Sequence, residues 1–142
     1  MTVLAAVDDD EEDAEVVSVA HDLATAYGEE LVVLHVMDED QFRRRRDSQP
    51  DYNRDPAAED AADVARDVAS MVLDEAAMGD VVARGRIGNP VEEILEEGDD
   101  RDARYIVSGG RKRTPVGKAV FGSATQSLLL NATRPVVTVM HE

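Results

Sequence analysis

Five short apolar runs, rich in β-branched residues, punctuate this chain: TVLAAV (2–7), ELVVLHV (30–36), DVVARGRI (80–87), RYIVSG (104–109) and RPVVTVM (134–140). Their apolar residues are nearly continuous rather than alternating, as in strands covered on both faces. Helical stripes lie between them. Ala14, Val17, Ala20, Ala24 and Tyr27 share one helix face, with Gly28 placed to end it. Ala61, Val64, Ala65, Val68 and Val72 form a second stripe, ended near Gly79. A third helix has Asn89 as cap, Pro90 in the first turn, Glu92 three beyond the cap and Gly98 as its stop. A fourth follows Gly122, where Ser123 and Gln126 have capping-box spacing. The order βαβαβαβαβ predicts a doubly wound α/β domain: an open, parallel, five-stranded sheet with helices on both faces, joined by right-handed crossovers. Such sheets bind ligands beyond the carboxyl ends of the strands, where strand order reverses. The loops after Val7, Val36, Ile87 and Ser108 are therefore the places to look.

At 142 residues and 43% hydrophobic content the chain suits one domain, 1–142, with a core of its own. It has no cysteine, hence no disulfide and no thiolate metal site. The opening MTVLAAVDDD, a six-residue apolar run followed by acids, is neither a signal peptide nor a membrane span. A cytoplasmic protein is expected. Acids outnumber Lys and Arg by 31 to 15, and the resulting net charge of -16 speaks against nucleic acid or an anionic membrane as partner. Only Lys112 and Lys118 are lysines. An acidic, lysine-poor surface of this kind suits a high-salt cytoplasm, so a halophilic source is expected. The polar stretch 38–56 predicts a mobile flap beside the ligand-binding edge. Within it, Arg43 to Arg46 are expected to pair with neighbouring acids on a solvated surface.

Several catalytic patterns fail. Gly117-Lys118 lacks the spacing and the following hydroxyl of a nucleotide P-loop, and VDDDEED stands where a dinucleotide fingerprint would begin. There is no G-x-S-x-G elbow. His21, His35 and His141 have no metal-ligand spacing, and nothing singles out a pair among the many acids. No catalytic residue is assigned.

One segment does stand apart, SGGRKRTPVGKAVFGSATQ (108–126). No Asp or Glu occurs from Tyr105 to Met140, while Arg111, Lys112, Arg113 and Lys118 cluster among glycines. Buried strands and helices carry few charges anyway, which explains the missing acids but not the cluster of cations. A glycine-rich, basic loop between a strand and a helix N-terminus is a physically sound anion site, to which Ser123 could add a hydroxyl.

These residues resemble the universal stress protein family. VDDDEEDAEVVSVAHDLA, LVVLHVMDE, GNPVEEILEEG and GSATQSLLLNATRPVVTV fall in that family's order, and the similarity runs along essentially the whole chain. ATP-binding members carry G-x-x-G, nine residues, then G-[ST]. Gly109 matches the first position and Gly122-Ser123 the last, whereas Lys112 replaces the second glycine. The resemblance implies that Gly109, Gly122 and Ser123 hold phosphate or ribose, Asp8 contacts the nucleoside and Val36 flanks the base. Ala6, Val7, Arg111, Lys112 and Ala124 complete the implied site for ATP, with Mg²⁺. Lys112 reads two ways: as an obstruction, costing about 1–2 kcal/mol if the backbone there must be left-handed, or as an added phosphate ligand. The resemblance also implies a homodimer through the apolar segment 135–140, bounded by Pro135 and Met140. Three functions stay open: an adenine-nucleotide-dependent regulator that switches a protein partner, with at most slow hydrolysis; a dimeric interaction module without nucleotide; and an enzyme on the same scaffold.

Overall fold

The computed structural model describes residues 1–112, 119–120 and 123–141; for 111, 112, 119, 120 and 123 it describes the backbone. Strands β1 (Thr2–Ala6), β2 (Glu30–Met37), β3 (Val81–Ile87), β4 (Ala103–Lys112) and β6 (Val136–His141) lie parallel in the order β3-β2-β1-β4-β6. The two-residue β5 (Ala119–Val120) pairs antiparallel with the end of β4. The five-stranded parallel sheet is as expected; β5 adds a sixth strand that its sequence did not signal.

The central strands β1, β2 and β4 bury residues on both faces, which accounts for their unbroken apolar runs, while β3 and β6 are mostly half-buried. Val3, Ala5, Val33 and Val107 face α1 (Ala14–Tyr27) and α3 (Arg54–Ser70), meeting Val16, Val17, Ala20, Ala65 and Val68. Leu4, Val32, Leu34 and Ile106 face α5 (Pro90–Asp100) and α6 (Ser123–Asn131), meeting Ile94 and Leu128. Gly28 ends α1 in the left-handed conformation, φ 63°, which a residue without Cβ adopts at little cost. Asn89 caps α5 by accepting from the Glu92 amide at 3.1 Å.

Three expectations need correction. Gly98 does not stop α5, which runs to Asp100; it lies inside the helix, where a Cβ would come within 3.4 Å of Ile106 Cδ1. The break comes at Asp102, with φ 51°. The second stripe ends at Ser70 rather than near Gly79, because a turn and the short α4 (Glu75–Met78) intervene. And the stretch 38–56 is not irregular: it contains α2 (Glu39–Ser48) and the start of α3. Asp38 and Gln41 close a capping box on α2, and its single apolar residue, Phe42, is 3% exposed against Met37, Ala57 and Ala61. As expected, Arg43 and Arg45 pair with Asp40 and Asp60; Arg46 instead lies over the Phe42 ring.

Candidate functional site

The chain runs outward from β1 through β2 to β3, then crosses back to β4 on the other side of β1. Two neighbouring strands thus send their following loops in opposite directions, and a crevice opens between them. Here it is a cleft of about 100 Å³. Leu34, Val36, Pro90, Ile94 and Leu128 give it an apolar lining, and Asp8, Asp13, Ser108 and Gly109 are the polar part of its wall. Of the expected site residues, Ala6, Val7, Asp8, Val36, Gly109 and Ala124 line this cleft together. Arg111 and Lys112 extend β4 beyond it, Lys112 opposite Ala119, so its backbone is extended and not left-handed. Ser123 begins α6, and Gly122 lies outside the described residues.

The polar wall is held in place by backbone bonds. Thr125 on α6 donates its hydroxyl to the Gly109 carbonyl at 2.9 Å, tying helix to strand. Ser108 is 5% exposed and its hydroxyl has no partner among the described residues. A buried hydroxyl with no bond is costly unless something arrives to satisfy it.

Asp13 was not expected in the site. It follows five acids in DDDEED, and its likeness to them hides its role. It stands one helical face with Val17, Ala20 and Ala24, which was the available signal. One carboxylate oxygen accepts from the Asp8 amide at 2.6 Å. Burial pushes its pKa above the ordinary carboxylate value; the Asp8 amide and His141 pull it down, while the charges of Asp8 and Asp10 push it up further.

A wider groove of about 780 Å³ adjoins the cleft across Asp8, Val36 and Pro90, walled by α2 and α3. Arg44 faces it, and so does His35, whose Nδ1 is 2.8 Å from the Val7 carbonyl and fixes the ring against β1. Among the described residues no cluster of three His, Asp or Glu side chains could hold a metal ion. No described helix is long and apolar enough to cross a membrane.

Fold and cleft together define a doubly wound α/β protein with a ligand crevice at the reversal of strand order. The sequence profile of the Universal stress protein family matches residues 1–140, and the chain belongs to that family. A universal stress protein of Mycolicibacterium smegmatis is 48% identical over 48 residues, 34% of this chain and 37% of that protein. The match thus spans little more than a third of that relative's length. A universal stress protein structure from Archaeoglobus fulgidus is 26% identical, with TM-score 0.62 over 97% of each chain. A universal stress protein solved with cAMP has 20% identity and TM-score 0.63 over 100% of this chain and 98% of that one. An Archaeoglobus fulgidus member solved with dAMP has 19% identity and TM-score 0.57 over 97% and 96%.

Proposed function

We propose that this protein is a regulatory nucleotide-binding protein that takes ATP or a related adenine nucleotide in the cleft between β1 and β4. The observation that carries the reading is the buried Ser108 hydroxyl, without a partner among the described residues, in a cleft lined by both apolar and polar groups. A nucleoside is amphipathic in the same sense: the base suits Val36 and Ile94, the sugar suits Asp8 and Ser108. The phosphates then run toward Gly109, and Gly122, Ser123, Arg111 and Lys112 are the further residues that the family motif implies for them. Relatives of this fold solved with cAMP and dAMP support an adenine nucleotide as the ligand. Mg²⁺ would arrive on the phosphates, not in a cage of side chains. Nucleotide occupancy would switch a protein partner in the cytoplasm, and the strongly acidic composition suits a high-salt interior. A homodimer through β6 is part of this reading, supported by the position of β6 beside β4 at the end of the described strand order.

Calorimetry with ATP and Mg²⁺ in molar KCl, on wild type and Lys112→Gly, tests the reading. Wild-type binding that weakens in Lys112→Gly makes Lys112 a phosphate ligand. A second reading, the interaction module without nucleotide, is favoured by the lysine at the second motif glycine. It would be supported by absent wild-type binding that appears in Lys112→Gly.

A further inference from the structure

Beneath Gly109 two acid–base side chains converge from different elements. The position a Cβ would take on Gly109 lies 3.2 Å from Asp13 Oδ1 and 3.5 Å from His141 Nε2. Asp13 comes from the turn before α1, His141 from the end of β6. Asp13 also lines the cleft, its other oxygen held by the Asp8 amide. His141 Nε2 is buried with no hydrogen-bond partner among the described residues, while its Nδ1 faces Glu15 Oε2 at 3.4 Å. Among the described residues, the charged or titratable groups acting on Asp13 are Asp8, Asp10 and His141; Glu15 faces His141 from α1, and Arg111 of β4 stands in register with it. The site is therefore rich in carboxylates at the point where the nucleotide's charge would enter.

We propose that Asp13 in the cleft wall and His141 beside Gly109 form a proton-holding pair, so that an oxyanion-bearing nucleotide is taken up at Gly109 together with a proton. The inference rests on the nucleotide reading above. An ionised Asp13 beside Gly109 repels a phosphate, and a bound phosphate in turn favours the protonated carboxyl. The proton goes to the Asp13 oxygen that faces Gly109, because the other accepts from Asp8. His141 Nε2 lies on the same side of Gly109 as that oxygen, and Glu15 Oε2 stands 3.4 Å from its other ring nitrogen. Binding then tightens as pH falls and weakens as Asp13 ionises. The burial that already raises the Asp13 pKa acts in the same direction.

The test is calorimetry of Mg-ATP binding at one pH in MOPS and in Tris, whose ionisation enthalpies differ. The dependence of heat on buffer gives the protons taken up per nucleotide. The nucleotide's own phosphate contributes alike to every variant, so differences between variants report on the protein. Wild type is expected to take up about 0.5–1 proton more than Asp13→Asn, in which the amide can still accept from the Asp8 backbone. Asp13→Asn is also expected to lose most of its pH dependence, with affinity at pH 8 about tenfold above wild type. Binding with equal proton uptake in the two proteins overturns the inference and leaves the nucleotide reading intact. Absence of binding in wild type and Asp13→Asn alike overturns both. His141→Gln is expected to reduce uptake, and an unchanged value removes His141 from the pair.

Discussion

Gly109 shows how much can depend on a missing methyl group. A Cβ there would meet Asp13 Oδ1 at 3.2 Å and Val16 Cγ2 at 3.4 Å, tighter than most real Cβ contacts. Gly109→Ala is expected to cost about 1 kcal/mol in thermal or urea unfolding, and to weaken nucleotide binding by more than that cost explains. Asp13 makes a different prediction. A carboxyl whose folded pKa is raised binds its proton more tightly folded than unfolded, so its contribution is most favourable in acid. It turns against the fold as pH rises through the raised value. Asp13→Asn is therefore expected to melt about 1–3 °C higher than wild type at pH 7, with the gain disappearing near pH 4. A lower melting point at pH 7 would mean that the anionic bond to Asp8 outweighs the desolvation. Asp8, which lines the cleft, was expected there from the family resemblance and from its place in the loop after the first apolar run. Asp13 was not, because six successive acids differ only in which one the turn points inward.

At the scale of elements, β3 and α5 are joined by a network of charges in addition to their apolar packing. Glu97 on α5 is 1% exposed and accepts from Arg86 Nε at 2.7 Å, Arg101 Nε at 3.1 Å and Arg84 Nε at 3.3 Å. Arg86 reaches on to Glu93, Glu96 and Asp100. Burial alone would raise the Glu97 pKa, but bonds and charge from Arg86 and Arg84 hold it below the usual value. Its contribution is thus present above the ordinary carboxylate pKa and lost as pH falls through the depressed one. Glu97→Ala, which strands arginines in a partly buried site, is expected to cost about 3 kcal/mol at pH 7 and far less near pH 3. On the same strand, a Cβ at Gly85 would overlap the Ala58 carbonyl and the Ala62 amide of α3. The strands and α1 were legible because two-sided burial and a 3.6-residue stripe leave clear marks. The helix α2 was not, since one phenylalanine in EDQFRRRRDS is too little apolar residue to show a period. Its docking is a tertiary event: Phe42 enters a pocket, and Arg54 closes over its ring at 5.0 Å while gripping Glu39.

For the whole molecule, the arrangement of charge matters more than its sum. The net charge is -16, yet no acid occurs between Tyr105 and Met140, the segment that supplies β4, α6 and most of β6. Two copies meeting along β6 would therefore bring together the parts of their surfaces that repel least. The remaining repulsion is long-ranged and screenable, with a Debye length of about 10 Å at 0.1 M salt and about 3 Å at 1 M. Raising KCl from 0.1 to 1 M is expected to strengthen self-association in sedimentation equilibrium and to raise the melting temperature by about 5 °C. Met140→Lys, a charge placed on the edge strand, separates the two effects: it should abolish the association and leave most of the rise in melting temperature, because intramolecular repulsion is unchanged. If Met140→Lys associates as wild type does, β6 is not the contact. If neither protein melts higher in salt, the acids are already balanced within the fold by ion pairs such as those of Arg86 and Arg134, and the acidic composition needs another explanation.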